Sequence, residues 1–141
     1  TRRSSDLKMY PGLPEYFDNE GRGLYAYLTG AASWYMLTMI TEVFGVKGDL
    51  GDLVIAPSLL PEQFDEKGSA GLKLEFARKK FEIIMHNPEK KDLRIEQIRR
   101  AVCDEKVVLE PEPEYGVRLR KSVIETLDQK KCHRIDVFFQ E

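Results

Sequence analysis

Two cysteines, Cys103 and Cys132, are too few for a disulfide framework and are not set at the spacing of a metal site. Two reduced thiols in a cytoplasmic protein are expected in preference to one bridge. The only histidines, His86 and His133, have no cluster of Cys, Asp or Glu near them in sequence at ligand spacing, so neither a metal nor a cofactor is expected. Basic residues number 22 against 24 acidic ones, a net charge of −2. Binding to a phosphate backbone needs a basic surplus, which argues against nucleic acid as a partner. No apolar run reaches the roughly 20 residues that span a bilayer. The N-terminal TRRSSDLKMYPG carries charge but no apolar core of a signal peptide, so neither membrane insertion nor secretion is expected. The G-x-S-x-G elbow, the P-loop and the Rossmann glycine fingerprint are missing. Internal repeats, heptads and low-complexity tracts are missing too. The first residue is Thr1, not Met, and the expectation is a piece of a longer polypeptide.

What remains is ordinary globular material: 141 residues, 42% hydrophobic and 33% charged, enough for one core of usual size. Its most apolar stretch is residues 25–46, YAYLTGAASWYMLTMITEVFGV. Trp34, Leu37 and Phe44 mark one side of a helix, while Met36, Met39, Ile40 and Val43 fill most of the rest. Only Thr38, Thr41 and Glu42 interrupt the band. A helix that is apolar all round lies among other helices or in a membrane, and this one is too short for the second. Gly45 is expected to end it. The partners it needs are not apparent in the residues that follow.

Before the helix, residues 15–23 (EYFDNEGRG) combine Tyr16 and Phe17 with Glu15, Asp18, Glu20 and Arg22. Pyranose rings stack on aromatics and their hydroxyls bond charged groups, so the composition fits a sugar site. By itself it fits better a connecting loop whose aromatics pack locally, since Asp18, Asn19, Gly21 and Gly23 are turn formers. Thr29 is a fair N-cap, with Gly30 at the first helical position. The N–H groups of Gly30, Ala31 and Ala32 then form a general anion pocket at the positive end of the helix dipole. The same residues also suit a plain cap with small side chains for close packing.

After Val46 the pattern changes. Residues 47–52 (KGDLGD) read as a turn cluster and residues 53–55 as a short strand stopped by Pro57. Leu72, Leu74 and Phe76 alternate with polar residues, the signature of a half-buried strand. Arg78, Lys79 and Lys80 are the expected turn, with residues 81–85 returning as a second strand. Residues 95–102 have mixed periodicity, 106–109 form another short strand, and EPEPE at 110–114 is an acidic loop. Residues 117–127 stay undecided, and Ile135, Val137 and Phe139 mark a final strand. Short strands between turn signals predict an antiparallel sandwich. Its carboxylates read as a solvated face, so any chemistry belongs to the first 35 residues.

The segment PGLPEYFDNEGRGLYAYLTGAASWYMLTMITEVFGVKGDLGDLVIAPSL resembles the C-terminal region of glycoside hydrolase family 94, the inverting glycoside phosphorylases once classed as glycosyltransferases. Its P-E-Y-F, G-R-G and Y-L-T-G-x-A-S-W-Y elements look most like those of cellobiose and cellodextrin phosphorylases, and the likeness runs from about Met9 to Pro88. The resemblance implies a mainly β fold: a C-terminal antiparallel β-sandwich of jelly-roll type, preceded by the last helix of an (α/α) six-hairpin barrel that lies upstream. Residues 1–47 would be the end of the barrel domain and residues 48–141 the sandwich. It implies that Thr29 and Gly30 bind inorganic phosphate as co-substrate, and that Glu15 and Tyr16 line the sugar subsite. The catalytic acid would lie upstream, so no residue here is assigned as catalytic and the 141 residues alone should be inactive. Implied partners are an oligosaccharide, phosphate, the upstream barrel and a second subunit of a homodimeric parent. Two alternatives stay open: a non-catalytic carbohydrate-binding or structural sandwich, and the phosphorylase-like domain of a cyclic β-1,2-glucan synthase.

Overall fold

The computed structural model describes residues 16–24, 29–92, 98–112 and 116–139. The chain divides into two compact units, residues 1–39 and 40–141. In the first, β1 (Tyr16–Phe17) pairs antiparallel with β2 (Gly23–Leu24), and α1 spans Thr29–Thr38. The segment Met39–Val43 continues as a π-helical turn. The expected helix is therefore present, but its regular part ends earlier than Gly45.

The second unit holds two sheets. One contains β3 (Val46–Asp49), β4 (Asp52–Ile55), β9 (Pro111–Glu112) and β10 (Gly116–Leu119), in the order β3-β4-β10-β9. The other contains β5 (Ser69–Phe76), β6 (Lys79–His86), β7 (Arg100–Cys103), β8 (Val107–Leu109) and β11 (Cys132–Phe138), in the order β5-β6-β11-β7-β8. A short helix, α2 (Lys121–Thr126), links β10 towards β11.

Successive side chains of a strand face opposite ways, and the sequence obeys this closely. In β6, Phe81, Ile83 and Met85 are fully buried while Glu82, Ile84 and His86 are half-buried. In β11 the buried set is His133, Ile135 and Val137. Phe81, Ile83, Met85, Ile135 and Val137 join one core cluster with Leu53 and Ile55 of β4, Val117 and Leu119 of β10, and Ile124 of α2. Both sheets thus contribute one face to a common core, the defining feature of a sandwich-like arrangement. Each large apolar side chain removed from water there contributes about 1.5–3 kcal/mol.

Four local expectations need correction. The pairing is not wholly antiparallel, because β6 and β11 run parallel, with Ile83 beside Ile135. The intervening chain crosses to the other sheet and back, which returns it in the same direction; side-chain alternation carries no record of that. Residues 47–49 are strand, and the turn is confined to Leu50 and Gly51, both with positive φ as a two-residue hairpin demands. The turn after β5 is likewise Ala77 and Arg78, so Lys79 already belongs to β6 and is buried. Within EPEPE, Pro111 and Glu112 form a strand against β10. Residues 95–97 of the ambiguous stretch lie outside the described residues, and β7 starts at Arg100. The undecided residues 117–127 resolve into the end of β10 and α2.

The stop after the helical turn is Gly45, with φ of +66°; a Cβ there would lie 1.9 Å from the Ala56 carbonyl oxygen. That oxygen cannot retreat easily, since Ala56 N–H donates back to Gly45 C=O at 2.9 Å. Gly45→Ala should cost at least about 2 kcal/mol, from the left-handed backbone and the overlap together. Urea denaturation measures this, and a loss below about 0.5 kcal/mol would refute the account.

Candidate functional site

The hairpin of β1 and β2 is closed by its own charges. Asp18 Oδ1 accepts the backbone N–H groups of Glu20 and Arg22, each at 2.9 Å, and Oδ2 accepts Arg22 Nε at 2.6 Å. Arg22 also reaches Glu20 at 3.2 Å. The backbone N–H of Arg22, then its guanidinium, hold the Asp18 carboxyl below its ordinary range. An Asp accepting from backbone N–H groups ahead of it in sequence is a local turn device. Three of the loop's four charges thus brace their own turn, as in a connecting loop. Tyr16 and Phe17 stand exposed on it.

Of the residues singled out for the site, Glu15 lies outside the described residues, as does the side chain of Thr29. Along the backbone, Thr29 is the first residue of α1, one place further into the helix than an N-cap, and Gly30 beside it is exposed. Ala31 and Ala32 follow, half-buried. One turn on, Trp34 is 70% exposed, and Tyr35, Met36 and Leu37 are exposed too.

The sandwich contains polar clusters that sequence spacing did not reveal, because their members are far apart in the chain. His133 is buried between Asp104 Oδ2, at 2.7 Å from Nδ1, and the Asp128 carbonyl, at 2.8 Å from Nε2. His86 Nε2 meets Asp136 at 2.7 Å, and its ring stacks on Phe138 with centroids 4.7 Å apart. Arg134 binds the same Asp136 through two nitrogens at 2.8 and 2.9 Å. Arg118 reaches Asp49, Asp52 and Glu112, at 2.8, 3.2 and 3.4 Å. Among the described residues no group of three or more His, Cys, Asp and Glu is gathered as for a metal ion. Both cysteines are free; Cys103 is buried, and burial, with Asp104 beside it, pushes its thiol up to about 11. Such a thiol is inert as a nucleophile at neutral pH. Each of these clusters joins two or more strands, or a strand to a turn, and Arg118 and Glu112, with Arg120, also border a groove of about 280 Å³.

No protein-family model matches the chain, and no curated protein matches it significantly. No helix among the described residues is long and apolar enough to cross a membrane.

The Asp104 cluster makes a stability prediction. Burial would raise its carboxyl, but hydrogen bonds from His133, the Arg134 N–H and Lys131 outweigh this and bring it from an ordinary 3.8 to about 2. A depressed carboxyl stabilises the fold above its unfolded value and loses that contribution as pH falls towards the folded one. Asp104 should therefore contribute fully above about pH 4 and fade between pH 4 and 2. Asp104→Asn should lower stability at pH 7 by about 1–3 kcal/mol and flatten the acid limb. Melting curves from pH 7 to 2 test this, and equal slopes for both proteins in the acid window would reject it.

Proposed function

We propose that this chain is the C-terminal part of an inverting glycoside phosphorylase, joining the end of a helical barrel to a jelly-roll sandwich. The residue pattern around Thr29 and Gly30 suggests the reading, and one observation carries it furthest. Helix α1 opens at those two residues and then exposes Trp34, Tyr35, Met36 and Leu37. An apolar patch of that kind belongs against other protein surface, and further helices of a barrel supply it in this reading. The sandwich, with its own core, needs no such cover.

The reaction is phosphorolysis of a β-glucoside. A carboxylic acid upstream of this chain protonates the glycosidic oxygen, while a phosphate oxygen attacks the anomeric carbon from the opposite face. The bond from carbon to the glycosidic oxygen breaks, and α-glucose 1-phosphate and a shortened sugar leave. Inverting hydrolysis needs a second carboxylate to activate water. Phosphate is already an anion, so a positioned donor set can replace that base. The Thr29 hydroxyl and Gly30 N–H are the donors assigned here, orienting the phosphate and holding its charge. Tyr16, exposed on the preceding hairpin, and Glu15 are assigned to the sugar side. Cellobiose or a cellodextrin is the proposed substrate, and the cytoplasm the proposed compartment.

The test is release of α-glucose 1-phosphate from cellobiose or cellodextrins plus phosphate by the longer polypeptide. The 141 residues alone should release none. Thr29→Ala should raise KM for phosphate and lower kcat/KM about 10- to 100-fold, the value of one hydrogen bond to a charged group. Unchanged phosphate kinetics would remove Thr29 from the site. Activity on β-1,2-linked glucans alone would favour the cyclic glucan synthase reading, and glucan binding without phosphorolysis a non-catalytic sandwich.

A further inference from the structure

Strand β5 is an edge of the five-stranded sheet. Its hairpin with β6 turns through Ala77 and Arg78, so Phe76 and Lys79 flank a two-residue turn and form a hydrogen-bonded pair. The alternation along the ladder follows. Ala70, Leu72, Leu74 and Phe76 direct their N–H and C=O groups at β6, while Gly71, Lys73 and Glu75 direct theirs outward. Ser69 C=O, on the same outward row, accepts Asp65 N–H at 2.9 Å. Beyond it, none of the outward groups of Gly71, Lys73 and Glu75 has a backbone partner among the described residues. The side chains repeat the message: Leu72 and Leu74 stay half-buried, whereas Ile83 and Phe81 opposite them are fully buried. An edge whose outward backbone groups stay open from Gly71 to Glu75 among the described residues is a template for another strand.

The order of charges along β5 says which strand. In an antiparallel pairing of β5 with itself about a two-fold axis at Leu74, Lys73 stands opposite the partner's Glu75. Leu72 stands opposite the partner's Phe76. Lys73 and the partner's Glu75 then form a hydrogen-bonded pair, since both turn their backbone groups outward, and symmetry repeats it. An axis at Lys73 would set two lysines face to face, one at Glu75 two glutamates, and one at Leu72 would leave Lys73 opposite glycine. Only the axis at Leu74 matches charge with charge and apolar with apolar. It also brings the partner's Ala77 opposite Gly71, where a groove of about 330 Å³ opens. That groove is bordered by the carboxylates of Asp65 and Glu82, of opposite sign to Arg78 of the partner subunit.

We propose that β5 is a homodimer interface, pairing antiparallel with β5 of a second copy so that the two five-stranded sheets become one. The proposal is independent of the phosphorylase reading.

Sedimentation equilibrium at low salt tests it. Lys73→Glu or Glu75→Lys turns two attractive cross-strand pairs into two repulsive ones and should weaken the dimer about tenfold or more. Glu75→Lys is the cleaner variant, because Lys73 also pairs with Glu82 of its own chain at 3.1 Å. Combining the two substitutions restores the match, and with it dimerisation. Amide hydrogen exchange is the second measurement. The amides of Lys73 and Glu75 should slow as protein concentration rises, while that of Leu74, bonded to β6, should not change. Association that survives every variant would belong to another face, α1 among them, and would overturn the proposal. So would concentration-independent exchange at Lys73 and Glu75, including protection of both in a monomeric longer polypeptide.

Discussion

Strands β6 and β11 lie side by side in the middle of the larger sheet, and Phe81, Ile83, Met85, Ile135 and Val137 between them leave no apolar surface to water. The rest of the sandwich is arranged around that pair. β7 and β8 extend the sheet on one side and β5 on the other, while β4 and β10 lay Leu53, Ile55, Val117 and Leu119 across it. Because burial of this face is the largest favourable contribution available, the polar residues of the unit are placed to serve it. His133 shows the cost of the arrangement: it occupies an inward position in β11 and must find partners without water. The Asp104 carboxylate and the Asp128 carbonyl supply them, one from the turn after β7 and one from the chain after α2.

The charged clusters therefore read as fasteners. Arg118 draws the β3 and β4 hairpin and β9 onto β10 through three carboxylates. Asp52 adds the N–H of Lys121, which fixes where α2 begins. That N–H, with Arg118, lowers the Asp52 carboxyl against the opposing effect of burial. Asp136 holds His86 and Arg134 on the outer face of the sheet. Pairs of this sort with water beside them contribute little each, and their value lies in setting which strand sits beside which. A carboxylate already engaged by a guanidinium and a backbone N–H is also a poor acid or base, which is why chemistry is sought at α1 and not in the sandwich.

Much of the fold was legible in the chain. The alternation of β5 and β6, the strand at Ile135 and Val137, and the helix from Thr29 follow from side-chain period, while the regular helix ends at Thr38, before the Gly45 that was expected to stop it. The site was less legible. The loop before α1 displayed aromatics and charges together, but composition does not say whether Asp18 and Arg22 face a ligand or each other. In the structure they face each other. The pairs His133 with Asp104 and His86 with Asp136 had no signal at all, since each spans many residues of sequence.

By itself the sequence determined which apolar residues of β5, β6 and β11 share a face, because that depends only on the local period of two. It also placed the turns to within a few residues and showed where a helix is left with no polar side. Tertiary structure alone decided that β6 and β11 run parallel, that Lys79 is buried, that each histidine meets an aspartate, and that β5 is left at an edge. All of these depend on where the connecting chain carries a strand before it pairs. Periodicity within a strand is unaffected by the direction or identity of its neighbour.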